Sequence, residues 1–245
     1  MNSMRTLLDS GIPLVAVSFD DDEAALRAEE AKAAGVDVAE LRVDRFSRTG
    51  ADHVLAQVEA FKALPVLATL RSTREGGEWA GTEEERLELF RALAPRVDAV
   101  DIELSSRDIL SEVVAAAHRH DTVVIVSYHN FERTPSTEEL QAVIDDAKEA
   151  GADVVKVSAM VTSENDVRRL ASLLLRAGED GTRLIVIAMG AIGALSRVFF
   201  PALGSRITYS FFGTSSAPGQ LDFSETFGLL RTFYPDFNQR KIVET

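Results

Sequence analysis

Short apolar runs alternate with longer amphipathic stretches along almost the whole chain. The apolar runs fall at residues 13–19, 36–43, 66–71, 99–104, 122–129, 153–159, 183–189 and 207–212. Runs of this length, bounded by polar segments, predict strands buried on both faces. Each is followed by a stretch with helical periodicity. Thr82-Glu83-Glu84-Glu85 and Ser136-Thr137-Glu138-Glu139 predict capping boxes that open helices, and Ser163-Glu164-Asn165-Asp166 carries a weaker form of that signal. Gly35, Gly151 and Gly178 follow helical stretches and predict helix ends. About eight strand–helix units in roughly 250 residues predict an α/β fold, a (β/α)8 TIM barrel. Residues 1–245 are expected to form one catalytic domain. The alternative is a doubly wound open sheet, which would carry a Gly-rich phosphate loop after its first strand. This chain reads Ser18-Phe19-Asp20-Asp21-Asp22 at that point, acidic and without glycine.

Composition narrows the function classes. The chain has 245 residues, 46% hydrophobic and 27% charged, enough apolar material for one large core and with no Pro/Gly/Ser linker to divide it. A net charge of −13 argues against a nucleic-acid surface, which needs a basic patch. It leaves room for a small anionic ligand held by a few local arginines. The absence of cysteine excludes disulfides and thiolate metal sites. The first residues lack a basic start followed by an apolar run, so no secretory signal is expected. No apolar run approaches the roughly 18 residues of a membrane span. These features predict a cytoplasmic protein with no membrane partner.

The apolar runs carry polar residues that they do not need for packing. Lys156 lies inside Asp153-Val154-Val155-Lys156-Val157-Ser158-Ala159. Burying an ammonium ion is costly, and burial favours the neutral amine, which is a nucleophile toward carbonyls. One run earlier, Val126-Ser127-Tyr128-His129 ends in a potential acid/base group. Because side chains alternate along a strand, Glu40, Arg42 and Asp44 share a face. So do Thr69 and Arg71, Ser127 and His129, and Lys156 and Ser158. All lie late in their runs, where barrel active sites are built. The alternate positions, such as Leu41, Val43, Leu70, Val126, Val155 and Val157, are apolar and face the helices. Structural readings compete with the chemical one. Lys156 would pair with Glu40 or Glu103, and Glu40 with Arg42 would form a buried network. Asp101 and Glu103 share the inward parity, and for these two a structural role is expected.

Loops after the runs add further groups. Arg197 follows the seventh run, and Phe212-Gly213-Thr214-Ser215-Ser216-Ala217-Pro218-Gly219-Gln220 follows the eighth. In barrels these two loops often hold an anion. An arginine there suits a carboxylate through paired hydrogen bonds. The loop Arg71-Ser72-Thr73-Arg74-Glu75-Gly76-Gly77 carries a carboxylate back toward His129.

Together these motifs resemble the type I 3-dehydroquinate dehydratase family, Schiff-base barrel enzymes of the shikimate pathway. The matching segments run from Ser18 to Gln220. They are Glu40-Leu41-Arg42-Val43-Asp44, Thr69-Leu70-Arg71, Ser127-Tyr128-His129-Asn130-Phe131, Lys156 on its strand, Met189-Gly190 through Ser196-Arg197, and Ser216-Ala217-Pro218-Gly219-Gln220. Two positions depart from the family pattern. Ser158 stands where an alanine is usual, and Val161 where a proline is usual. The resemblance implies dehydration of 3-dehydroquinate to 3-dehydroshikimate. In it Lys156 forms the imine, His129 moves protons, and Glu75 orients His129. Ser18, Glu40, Arg42, Arg71, Arg197, Ser216 and Gln220 would bind substrate. It also implies a homodimer with no metal and no organic cofactor. Two other readings remain open: a Schiff-base aldolase acting on a phosphorylated sugar, and a catalytically silent binding barrel.

Overall fold

The structure is a computed structural model and describes residues 3–213 and 219–237. Its eight strands are β1 Leu14–Phe19, β2 Val38–Arg42, β3 Val66–Thr69, β4 Ala99–Glu103, β5 Val123–Asn130, β6 Val154–Met160, β7 Leu184–Met189 and β8 Ile207–Ser210. All pair in parallel, in the order β7-β6-β5-β4-β3-β2-β1-β8. The open seam between β7 and β8 is bridged by the Arg206 N–H, which donates to the Leu184 carbonyl at 2.9 Å. The Val186 N–H donates to Ser205 Oγ at 3.1 Å. The sheet is therefore a nearly closed (β/α)8 barrel.

A short helix α1, Met4–Asp9, precedes the barrel. The connecting helices are α2 Ala24–Ala34, α3 Ala51–Ala60, α4 Glu83–Leu93, α5 Leu110–His118, α6 Thr137–Glu149 and α7 Glu164–Asp180. They are followed by α8 Ser196–Phe199 and, after β8, by α9 Phe223–Phe233. Capping boxes open α4, α6 and α7, as the three sequence signals predict. Gly35 ends α2 in a left-handed conformation, φ 83°. Gly178 does not end its helix. The helix α7 runs on to Asp180 and stops at Gly181, φ 74°. Its buried stripe of Leu170, Leu173, Leu174 and Ala177 anchors the last turns. That outweighs the roughly 1 kcal/mol cost of an interior glycine. Between β7 and β8 the expected helix is reduced to α8, flanked by 3-10 turns at Ala191–Gly193 and Phe200–Leu203.

Strand parity divides the buried residues into two cores. The outward set, with Leu41, Val43, Leu70, Val126, Val155 and Val157, packs against the helices. The inward set fills the barrel: Leu14, Ala16, Val38, Leu67, Ala99, Val123, Ile125, Val154, Ile185 and Ile207. Met4, Leu7 and Leu8 of α1 join this inner core. Leu14 pairs with Ile207 at the start of β8, so this inner set begins at the N-terminal ends of the strands. Along the same inward columns toward the C-terminal ends, the residues become Ser18, Glu40, Thr69, Asp101, Ser127 and Lys156. One end of the barrel is thus an apolar plug, and the other carries polar groups above a dry floor. Among the described residues, no helix is long and apolar enough to cross a membrane.

Candidate active site

Six strands deliver the central groups. Lys156, 4% exposed, projects from the middle of β6. Its Nζ donates to Asp101 Oδ2 of β4 at 3.0 Å and lies 4.0 Å from Glu40 Oε1 of β2. The face of the Tyr209 ring, from β8, is 4.3 Å from the same nitrogen. Ser18 of β1 donates to Glu40 Oε2. Thr69 Oγ1, from β3, donates to Glu40 Oε1 at 2.9 Å. Each carboxylate near the amine is therefore held by other partners before it meets the lysine.

Asp101 corrects one expectation. It is fully buried and pairs directly with Lys156, whereas only Glu40 and Glu103 are expected from the sequence as partners of that amine. Its Oδ1 accepts from Arg71 Nη2 at 2.8 Å and from Ser127 Oγ at 2.6 Å. Burial opposes ionisation of this carboxyl, but the charges of Arg71 and Lys156 outweigh it and hold the group far below the usual range. Glu103, one of the two expected partners of Lys156, pairs elsewhere, with Arg71 at 3.1 Å and with the buried Arg86. Its Oε1 also accepts the Ser72 N–H at 2.8 Å. Glu103 therefore has the structural role expected of it, tying β4 to the β3 loop and to α4. Burial disfavours the Arg71 cation, yet Asp101 and Glu103 overcome it and keep the guanidinium firmly protonated.

His129 stands one strand from Lys156. In the β5–β6 register Ser127 pairs with Lys156 and His129 with Ser158. Glu75 reaches it from the 3-10 turn Thr73–Glu75 after β3. Glu75 Oε2 accepts the His129 backbone N–H at 2.9 Å and lies 3.0 Å from Nδ1. Ser105 Oγ donates to the other oxygen at 2.5 Å. Burial pushes the Glu75 carboxyl up to about 7, and burial with the Arg71 and Lys156 charges pulls His129 well below 6.5. Those two directions make the contact a hydrogen bond to a neutral imidazole rather than a standing ion pair. With Nδ1–H donating to Glu75, Nε2 keeps its lone pair. The turn is held close by Gly77, where a Cβ would sit 2.0 Å from the Arg71 carbonyl oxygen. Phe131 lies over Gly76 and stacks on His129 with ring centroids 6.3 Å apart.

Arg197, on α8, is 3% exposed, and its Nε and Nη2 have no partner among the described residues. Burial lowers its pKa to about 10, so it remains a cation at neutral pH. A buried cation without a counter-ion suits an anionic ligand group. Arg42 is fixed by Asp44 through two bonds of 2.9 and 2.7 Å. Asp44 sits in a 3-10 turn past the end of β2, not on the strand itself.

One cavity is lined by Ser18, Glu40, Arg42, Arg71, Glu75, His129, Lys156, Arg197 and Gln220. These are the sequence-derived site residues with the exception of Ser216, which lies outside the described residues. Tyr209, Ser158 and Phe131 line it too. Strand parity already places Ser158 on the face of Lys156, and the same parity would have found Tyr209, whereas Phe131 lies past its strand end, where no periodicity speaks. Among the described residues, no cluster of three or more His, Asp or Glu side chains is arranged to hold a metal. The arrangement provides an amine, a base beside it and an anion anchor on one wall, as imine chemistry on a carboxylated ketone requires.

Comparison with known proteins agrees. The family model for type I 3-dehydroquinase matches residues 12–236. The 3-dehydroquinate dehydratase of Methanosarcina barkeri is 40% identical over 201 residues, covering 78% of this chain and 83% of that protein. The solved 3-dehydroquinate dehydratase of Aquifex aeolicus superposes with a TM-score of 0.83 at 35% identity, over 91% of this chain and 99% of that one. That of Clostridium difficile, solved with covalently modified comenic acid, gives 0.85 at 29% identity, over 93% and 94%. With a barrel, a buried strand lysine and a family match over residues 12–236, this chain belongs to the type I 3-dehydroquinase family.

Proposed function

We propose that Lys156, His129 and Glu75 carry the reaction that defines this family, dehydration of 3-dehydroquinate to 3-dehydroshikimate through an imine. The chain is a 3-dehydroquinate dehydratase, a hydro-lyase of the shikimate route to aromatic amino acids. The observation that carries the assignment of residues is the buried Lys156 amine within one cavity with a neutral His129 and an Arg197 whose Nε and Nη2 have no partner among the described residues.

The chemistry follows from the groups. Arg197 takes the substrate carboxylate and fixes the ring. Lys156 passes its ammonium proton to His129, the resulting amine adds to the ketone carbon, and an N–H proton moves to the oxygen to give a carbinolamine. His129 then returns its proton to that hydroxyl, which leaves as water, and a protonated imine remains. That cation acidifies the neighbouring C–H. Nε2 of His129 removes the proton, and the electron pair moves into an enamine. The enamine expels the β-hydroxyl, which takes the proton back from His129 and leaves as water. Addition of water to the remaining imine frees the conjugated enone and restores the amine. Asp101 stays ionised and faces the positive charge on nitrogen from imine formation to hydrolysis. Glu75 holds the imidazole so that Nε2 points to the reacting carbon. Ser18, Glu40, Arg42, Arg71, Ser216 and Gln220 complete the binding of a polyhydroxylated ring.

The homodimer that the family resemblance implies and the cytoplasmic location that the composition predicts belong to this same reading, as does a single catalytic domain. The test of the assignment is His129→Ala. The variant should still form a borohydride-trappable imine, while enone formation, followed by absorbance, falls about 10²–10⁴-fold. Normal turnover in that variant would remove His129 from the proton-transfer role.

A further inference from the structure

Among the described residues a few buried side-chain polar atoms lack a partner; Arg86 Nε, Ser196 Oγ and Arg206 Nε lie elsewhere, but the rest belong to residues that line one cavity. Ser158 Oγ, Tyr209 Oη and the Nε and Nη2 of Arg197 have none among the described residues, and all three residues line the cavity above Lys156. Ser158 is 2% exposed and Tyr209 4%. A buried hydroxyl without a hydrogen bond destabilises the protein that carries it, and such groups need a reason. For Arg197 the reason is the ligand carboxylate. The two hydroxyls have no role in the reaction steps above.

Their positions supply one. Ser158 follows Lys156 by two residues on the same inward face, and its Cα pairs with that of His129 across the β5–β6 register. It therefore sits beside the base, on the face that lines the cavity. Tyr209 lies on β8, with its ring against the Lys156 nitrogen. Burial is the largest influence on its hydroxyl and keeps it protonated, so it is available as a donor. The carboxylates nearest to Lys156, Asp101 and Glu40, are already occupied by Arg71, Ser127, Ser18 and Thr69. A ring with several hydroxyls therefore has use for partners beyond Glu40 and the other binding groups named above. We infer that the hydroxyls of Ser158 and Tyr209 are additional ligand-binding groups, which hydrogen-bond the oxygen substituents of a polyhydroxylated carboxylic-acid ring. The inference rests on the ligand class of the proposed function.

Ser158→Ala and Tyr209→Phe each delete one oxygen and little volume. A hydroxyl used only in the bound state gives two opposite readouts. Each variant should raise KM for 3-dehydroquinate about five- to tenfold with kcat held within about twofold, the size of one neutral hydrogen bond. The melting temperature of the ligand-free protein should stay constant or rise, because an unpaired buried group has been removed. An unchanged KM in both folded variants would overturn the inference. So would a lowered melting temperature, which would mark the hydroxyls as structural. Borohydride trapping of the unaltered protein separates the two claims. Trapping with an unchanged KM in the variants defeats only this inference, whereas no trapping in the unaltered protein defeats the functional reading beneath it.

Discussion

A histidine abstracts a proton only while its imidazole is neutral, and an amine attacks a carbonyl only after losing its proton. The cavity meets the first demand by burial. It puts His129 beside Arg71 and Lys156, which oppose a further positive charge, and against a Glu75 carboxyl that burial has itself raised to about 7. The Glu75 shift has a measurable sign. Its ordinary value is 4.5. Between that pH and about 7 the folded protein holds a proton that the unfolded chain has lost. The stability tied to that proton is fully present below about pH 4.5 and is lost as pH rises through about 7. Glu75→Gln keeps a neutral group at every pH. On moving from pH 5 to pH 8 the variant should gain stability relative to its parent by up to about 3 kcal/mol, at roughly 1.4 kcal/mol per pKa unit. Urea midpoints at the two pH values measure it, and parallel behaviour of the two proteins would show that Glu75 is ionised throughout. At this scale the sequence makes Lys156 and His129 legible because each is costly inside an apolar run. It does not reveal that Asp101 rather than Glu103 meets the amine. Parity gives the face of a residue, while the partner depends on which layer of the barrel two strands share.

The elements are legible where local chemistry acts alone. Thr82, Ser136 and Ser163 each cap a helix with an acidic residue three positions later, because the bonds involved lie within one turn. Strand positions follow from apolar runs, and all eight are present, with ends that match or differ by one or two residues. The failures share a cause in tertiary packing. At Gly178 the buried leucine stripe of α7 overrides a local stop signal. After β7 the chain spends its residues on two 3-10 turns and a single helical turn. That compact path puts Arg197 inside the cavity, with its carbonyl accepting from Thr208 Oγ1 at 2.8 Å. After β3 the 3-10 turn that carries Glu75 depends on the contact between Gly77 and the Arg71 backbone, which no periodicity encodes.

Across the whole molecule, stability and chemistry occupy opposite ends of one barrel. The inward columns begin with aliphatic side chains sealed by α1 and end with charged ones. Two-residue alternation makes that gradient readable from the amino-acid order alone. The seal by α1 is not readable in this way, because a six-residue helix gives too short a periodic signal. Leu8→Ala, a change at this 3%-exposed plug position, should lower stability by about 2–5 kcal/mol. It should leave kcat within about twofold, because the plug lies at the far end from the cavity. Thermal denaturation with kcat on the folded variant checks both parts. A large loss of kcat at full stability would mean that the floor and the site are coupled.

The central claim is that this barrel works through a covalent imine on one buried lysine. Borohydride reduction in the presence of 3-dehydroquinate, followed by peptide mass spectrometry, tests it most directly. A ligand adduct is expected on Lys156 and none in Lys156→Met, which should remain folded and inactive. A folded, active protein with no adduct, or an adduct on another lysine, would contradict it.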